Sequence, residues 1–137
     1  MRRYFTALAL GLAIAAATAI ADDSRWIEVV GGSWKPDAAV LSEMESALKS
    51  AVPPAAADRG PMPQWDSYWF QYQGQSSPAG PRYVMVHALC RTFQNHPLSG
   101  AKWAYASDGG ACYFSGKYES ETKRLYDLLL NGPIRGL

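Results

Sequence analysis

Two strand-like runs, each carrying one of the chain's two cysteines, constrain the fold more than any other feature of the sequence. Residues 82–93 and 110–119 are rich in β-branched and aromatic side chains, and clusters of glycine, proline, asparagine, aspartate and serine bound them. Because strand side chains alternate between two faces, Cys90 and Cys112 each fall on the small, apolar face of their run. The sequence therefore predicts two adjacent antiparallel strands that a disulfide can join.

A Cys90–Cys112 bond would also fix how the two strands pair, since the numbers of opposite residues would then sum to 202. This register predicts three opposite pairs: His87 with Ser115, Met85 with Lys117, and Tyr83 with Glu119. Closing a loop of about 22 residues contributes on the order of 3 kcal/mol in the chain-entropy treatment. Zinc binding is the competing role, but a four-ligand site would need both cysteines and both histidines of the chain.

The first 21 residues have the layout of a cleavable secretory signal. Arg2 and Arg3 precede an apolar run, and small residues stand at Ala19 and Ala21. An uncleaved membrane anchor is the competing interpretation, but the run is rich in alanine and close to the minimum length for a span. The arginine pair also resembles a twin-arginine signal, which leaves the export route open. We expect residues 22–137 to form a single periplasmic or secreted domain without a stable membrane anchor.

The mature chain predicted in this way is close to neutral. Removal of the leader takes away two of the 13 basic residues and none of the 12 acidic ones, which leaves a net charge of −1. A near-neutral domain does not attract nucleic acids or anionic membranes by bulk charge. The sequence therefore predicts no nucleic-acid partner.

One segment of the mature chain has the pattern of an amphipathic helix. Pro36 and Asp37 begin it, Pro53 and Pro54 are expected to end it, and its length is about 15 residues. The apolar stripe consists of Val40, Leu41, Met44, Ala47, Leu48, Ala51 and Val52. A stripe of this kind is typical of a helix that packs against a sheet.

Short strands are predicted at 24–30, 68–73 and 125–130, in addition to the two cysteine-containing runs. Residues 95–109 are too polar and too rich in turn residues to form a strand throughout. One helix and a series of hairpins favour an α+β fold, with the helix packed across an antiparallel sheet of four to five strands.

This order of elements, together with two glycine motifs, resembles the cystatins. Residues 29–40 contain Gly31-Gly32 ahead of the helix, and residues 70–74 stand where cystatins have a Gln-x-Val-x-Gly hairpin, with Gly74 in agreement. The last hairpin, 119–123, is charged where the family has Pro-Trp. The resemblance implies a cystatin-like fold, and it implies inhibition of papain-like cysteine proteases as an alternative function.

A second resemblance covers the C-terminal part. Asp-Gly-Gly-Ala-Cys-Tyr-Phe-x-x-x-Tyr at 108–118 and Leu-Leu-Leu-Asn-Gly at 128–132 are similar to a group of small exported bacterial proteins with no assigned activity. This resemblance implies an exported single domain and brings no catalytic residue with it.

The sequence contains no H-E-x-x-H, G-x-S-x-G, Walker or dinucleotide-binding pattern. His87 opposite Ser115 suggests a base and a nucleophile, but no third group that would orient the histidine can be identified. We therefore predict no catalytic residue, no metal site and no cofactor.

Aromatic residues are frequent in the loops and at the strand ends, where they either complete a small core or form a groove for a peptide, a sugar or an apolar ligand. The predicted binding surface consists of Gly32, Trp69, Gln71, Gly74, His87 and Trp103. The leading functional prediction is a non-enzymatic binding or interaction module for an unknown protein, peptide or small ligand. Use of the sheet face by an enzyme or a ligand carrier remains as a further possibility.

Overall fold

The computed structural model describes residues 24–92, 97–106 and 109–131, so the predicted leader lies outside the described residues. One helix packs on a five-stranded sheet, which confirms the α+β class. The elements are β1 (Trp26–Glu28), α1 (Ala38–Ala55), β2 (Tyr68–Ser76), β3 (Arg82–Cys90), β4 (Tyr113–Glu119) and β5 (Arg124–Leu130), with short 3₁₀ turns at Trp65–Ser67 and Gly110–Cys112.

The sheet is mixed, so the prediction of an antiparallel sheet was wrong for its first strand. The strands lie in the order β1-β2-β3-β4-β5, and β1 pairs with β2 in parallel, with Trp26 opposite Phe70. A parallel pair needs a long crossover connection, and α1 with the loops at its ends provides it. The other three pairs are antiparallel, as predicted.

The predicted register of the two central strands is confirmed. His87 lies opposite Ser115 and Met85 opposite Lys117 in the pairing of β3 with β4. The Cys90–Cys112 disulfide is present just beyond the last strand pair, with a Cα–Cα distance of 4.9 Å. The cysteine pair therefore joins the end of β3 to the 3₁₀ turn that leads into β4.

The helix begins as predicted but ends later. Asp37 is its N-cap, and the Asp37 carboxylate accepts a hydrogen bond from the Val40 amide at 2.9 Å. Pro53 and Pro54 lie inside the last turn, so the prediction that they end the helix was wrong. Both prolines are exposed, and the carbonyl groups that lose their partners belong to exposed residues that water can reach.

The main core lies between α1 and one face of the sheet. Leu41, Met44, Leu48 and Val52 project from the helix onto this face and are buried. On the sheet side the buried side chains are Trp26, Tyr68, Phe70, Val84, Val86, Ala88, Cys90, Phe114 and Tyr118. The rings of Trp26 and Phe70 stack with centroids 4.1 Å apart, which ties the parallel strand to the core.

A β-bulge in β5 decides which of its leucines enter this core. The pairing between β4 and β5 shifts between Ser115 and Lys117, and Asp127 takes a left-handed conformation with φ 49°. After the shift, Leu128 packs against the main core, while Leu129 lies on the opposite face and remains 66% exposed. A simple alternation of residues could not have produced this arrangement.

Candidate ligand-binding face

The sheet face that points away from α1, called the second face below, is divided into a covered and an open half. Residues 97–106 cross over the side of β2 and β3 and cover it. Between this segment and the sheet lies a small core, to which the segment contributes Leu98 and the sheet contributes Trp69, Leu89 and Tyr113. The half formed by β4, β5 and the start of β3 has no such cover among the described residues.

The buried amide of Gln71 fastens the crossing segment to the sheet. Its nitrogen donates to the carbonyl oxygens of Ser99 at 2.7 Å and Lys102 at 2.9 Å, and its oxygen accepts from the Ala104 amide at 2.8 Å. Because all three partners are backbone groups, one side chain satisfies polar atoms that would otherwise be buried without partners. Gln71 is therefore a structural clamp.

Gln73, the next residue of β2 on this face, performs the same role for the loop after β1. Its amide nitrogen donates to the carbonyl oxygens of Val29 and Val30, and its amide oxygen accepts from Gln75 at 2.8 Å. The alternating glutamines of β2 thus hold two chain segments against the sheet.

His87 lies at the centre of the covered half and is only 4% exposed. The Trp103 ring packs over the imidazole at 4.3 Å, and Tyr105 and Tyr113 approach it edge-on at 5.2 and 5.9 Å. Nδ1 lies 3.3 Å from the carbonyl oxygen of Ala104 and 3.2 Å from the Tyr113 hydroxyl. A proton on Nδ1 suits both contacts, since the carbonyl can only accept.

Burial lowers the pKa of His87, and its hydrogen bond to Ala104 opposes this effect. The imidazole is therefore held in its neutral form. Ser115 lies opposite His87 in the strand pairing, but the hydrogen-bond contacts of the imidazole go to Ala104 and Tyr113. His87 and Ser115, the possible base and nucleophile, are therefore neighbours in the sheet, but the described hydrogen bonds of His87 do not include Ser115.

The open half of the second face contains a shallow cleft of about 250 Å³. Its lining combines apolar groups with one hydroxyl and one ion pair, and consists of Met85, Ser115, Gly116, Lys117, Asp127 and Leu129. The Leu129 side chain is well exposed at its rim. An apolar surface with a few polar groups is the usual composition of a binding site.

The ion pair of the cleft is held by the bulge in β5. Lys117 donates to Asp127 at 3.0 Å, and its ammonium group lies 5.6 Å from the Tyr83 ring and 6.0 Å from the Tyr126 ring. The hydrogen bond to Asp127 is the main reason that the pKa of Lys117 is raised. The left-handed backbone at Asp127 brings the carboxylate to this position, so the cleft presents a donor and an acceptor side by side.

The two predicted glycines lie at a different place, beside the turn between β2 and β3. Gly74 forms a bridge with Trp34, and a Cβ atom at Gly74 would stand 2.2 Å from the Trp34 carbonyl oxygen. A Cβ atom at Gly32 would stand 2.9 Å from the Gly74 carbonyl oxygen. Both glycines therefore permit close packing of backbone segments.

The predicted binding surface thus separates into two groups. Trp69, Gln71, His87 and Trp103 come together on the covered half, whereas Gly32 and Gly74 pack the hairpin region. Sequence reasoning did not select the cleft residues Met85, Lys117, Asp127 and Leu129. The predicted pairing of Met85 with Lys117 could have indicated that these two residues share a site. The bulge that brings Asp127 and Leu129 to the same site has no recognisable signal in the sequence.

Within the described ranges, no group of three or more histidine, cysteine, aspartate or glutamate side chains could hold a metal ion. None of the helices in these ranges is long and apolar enough to cross a membrane. No family model matches the sequence, and comparisons with curated proteins and with solved structures likewise find no significant match. The fold and site define a class of protein only: an α+β protein with one helix on a five-stranded mixed sheet and a disulfide bond.

Proposed function

We propose that this protein is an exported, non-enzymatic binding module that receives one large apolar side chain of a peptide or protein partner in the cleft on the open half of the second face. The observation that carries the proposal is the cleft itself, with Leu129 exposed at its rim and the Lys117–Asp127 pair beside it. Export to the periplasm or the outside of the cell is supported by the layout of residues 1–21 and is compatible with the disulfide bond.

The size of the cleft favours a side chain over a free small molecule. Pockets for drug-sized ligands have volumes of about 300–1,000 Å³ and enclose most of the ligand. The cleft here measures about 250 Å³ and is open to solvent, so it suits a single ring or branched chain.

The polar groups of the cleft suit the backbone on either side of such a side chain. The Lys117 ammonium group can donate to a peptide carbonyl, and the Asp127 carboxylate can accept from a peptide N–H. The ammonium and carboxylate lie 3.0 Å apart, so they can face the C=O and N–H groups of one extended residue, which point in the same direction.

The His87 cluster supports a non-enzymatic function for this face. His87 lies opposite Ser115 in the strand pairing, but it is covered by Trp103, and burial lowers its pKa. A general base needs access to a substrate proton, which this cover prevents.

The proposal is tested by binding of dye-labelled pentapeptides of glycine with phenylalanine, leucine or alanine at the centre. Full burial of a large apolar side chain is worth about 1.5–3 kcal/mol, and the open cleft covers only part of it, so we expect the phenylalanine and leucine peptides to bind up to about tenfold more tightly than the alanine peptide. Fluorescence polarisation with the mature protein measures this difference. Met85→Glu should abolish the preference, because it places a charge in the apolar part of the cleft.

Val30→Glu is the matched control, since Val30 is an apolar residue that is 69% exposed and lies outside the cleft. It should leave the preference unchanged. Equal affinity for all three peptides, or a preference that survives Met85→Glu, would contradict the proposed site.

Inhibition of cysteine proteases is the second candidate, and one observation favours it. Three segments lie at the same end of the strands: Gly31-Gly32, the turn 77–81 and the turn 120–123. They meet there because β1 and β2 run in the same direction and the following strands alternate in direction. The charged side chains at the last turn disfavour this function.

A further inference from the structure

The strand β5 forms one edge of the sheet, and part of its backbone has no partner among the described residues. The Asn131 amide donates to the Tyr113 carbonyl oxygen at 3.3 Å, so the N–H group of residue 131 points towards β4, while its carbonyl oxygen accepts from the Arg59 guanidinium. Leu129 opposite Ser115 and Leu130 opposite Phe114 continue this ladder in regular register. Because the backbone directions alternate along it, the N–H and C=O groups of Leu130, and those of Leu128 next to the bulge, point outward.

The opposite edge of the sheet is protected. Its strand, β1, has only three residues, and the Val30 amide that follows it donates to the Gly100 carbonyl oxygen at 2.9 Å. Gly100 approaches so closely that a Cβ atom there would stand 2.6 Å from the Glu28 carbonyl oxygen. The crossing segment 97–106 therefore shields this edge. Near β5 the described contacts of this kind lie at Asn131, just beyond the strand, whose side-chain amide donates to Ala106 and whose carbonyl oxygen accepts from Arg59.

The side chains at the end of β5 do not protect it either. Edge strands of soluble proteins are usually guarded by lysine, proline, an inward charge or a bulge. The bulge at Asp127 precedes the run Leu128-Leu129-Leu130, and regular pairing resumes at Leu129 and Leu130. This run offers a flat, apolar edge of three leucines.

We propose that a second copy of this chain pairs with this edge, antiparallel and centred on Leu129, to form a continuous ten-stranded sheet about a two-fold axis. In this register Leu128 meets Leu130 of the second copy, and Leu129 meets Leu129. The outward N–H and C=O groups of Leu128 in one copy then exchange hydrogen bonds with those of Leu130 in the other, as in a hydrogen-bonded antiparallel pair.

The two faces of the sheet also match in this register. Leu128 and Leu130 both lie on the helix-covered face and Leu129 on the second face, so each leucine meets a leucine on its own side. Asp127 comes opposite the neutral amide of Asn131 rather than another charge. The pairing therefore buries the exposed Leu129 without opposing like charges.

This pairing goes beyond the proposed function, and it affects the same face. Leu129 lines the cleft, so the clefts of the two copies would meet at the two-fold axis and form one trough with a Lys117–Asp127 pair on each side. A partner peptide could then contact both copies.

Light scattering during size-exclusion chromatography tests the pairing with the mature protein at 1–100 µM. We expect a dimer at the upper concentrations. Leu129→Glu sets two carboxylates face to face at the axis and should raise the dimer dissociation constant at least about tenfold, whereas the equally exposed Val30→Glu should leave it unchanged. A monomer at every concentration, or a dimer that Leu129→Glu does not weaken, would overturn the proposal.

Disulfide cross-linking tests the register. The two copies of residue 129 would form a non-hydrogen-bonded antiparallel pair. The Cα atoms of such a pair are about 4.5 Å apart, which lies within the range of a disulfide. Leu129→Cys should therefore form a covalent dimer on oxidation, and Val30→Cys should not. Equal cross-linking of both variants would contradict the register.

Met85→Glu should leave the dimer intact, since Met85 lies two strands from the edge. Failure of the peptide site and failure of the pairing can therefore be distinguished.

Discussion

Burial of His87 beneath Trp103 links the stability of the covered half to pH. The groups that surround the imidazole are Trp103 and Tyr105 of the crossing segment, Tyr113 of β4 and the Ala104 carbonyl group. Burial also raises the pKa of Tyr113, so its hydroxyl is protonated at neutral pH. The described contacts of His87 thus include no carboxylate that would stabilise an imidazolium ion.

We predict that the free energy of unfolding decreases as the pH falls from about 7.5 to about 5.5. Above a pH of about 6.5, His87 is neutral in both states; below it the unfolded chain binds a proton that the folded chain disfavours, because the folded pKa is lowered. Urea titrations at several pH values measure this change. His87→Gln should remove most of the dependence in this range, and His96→Gln serves as the control. An unchanged pH profile in His87→Gln would contradict the assignment.

At the scale of elements, the sequence predicts those features that follow from local periodicity. The helix stripe and the β3–β4 register both follow from the alternation or repetition of apolar residues, and parity alone placed Cys90 and Cys112 on one face. The parallel direction of β1 depends on the path of the connection through α1 to β2. The residues of β1 itself carry no pattern that indicates this path.

The covered half and the cleft depend on contacts between distant parts of the chain. Gln71 binds a segment about thirty residues later in the sequence, and Gly100 is fitted to the backbone of β1. The run of three leucines in β5 has no period, so only the bulge at Asp127 decides which of them is exposed. These features are tertiary, and the sequence shows them only as unexplained glutamines, glycines and leucines.

A second prediction concerns the packing of α1. Leu48 is fully buried between the helix and the sheet, so Leu48→Ala should lower the free energy of unfolding by about 2–5 kcal/mol. The exposed neighbour Ser50 provides the control, and Ser50→Ala should change the stability by less than about 0.5 kcal/mol. Chemical denaturation measures both. A midpoint for Leu48→Ala that equals that of the unchanged protein would mean that the helix does not support the sheet.

At the scale of the whole molecule, the end of the sheet that carries both hairpin turns is too highly charged to enter a protease cleft. Lys123 pairs with Glu43 at 2.6 Å and Arg124 approaches Glu119 at 3.9 Å, so insertion of this edge would remove charged groups from water. We predict no tight inhibition of papain by the mature protein. Dose-dependent inhibition at nanomolar concentration would instead favour the inhibitor function.

The central claim is that the protein binds its partner through the open half of the second face. Nuclear magnetic resonance of methionine methyl groups tests it most directly, because residues 22–137 contain Met44 in the core, Met62 beside it and Met85 in the cleft. Titration with the phenylalanine pentapeptide should shift the Met85 signal in a saturable way and leave the Met44 signal in place. A saturable shift at Met62 without one at Met85, or no shift at peptide concentrations of several millimolar, would contradict the claim.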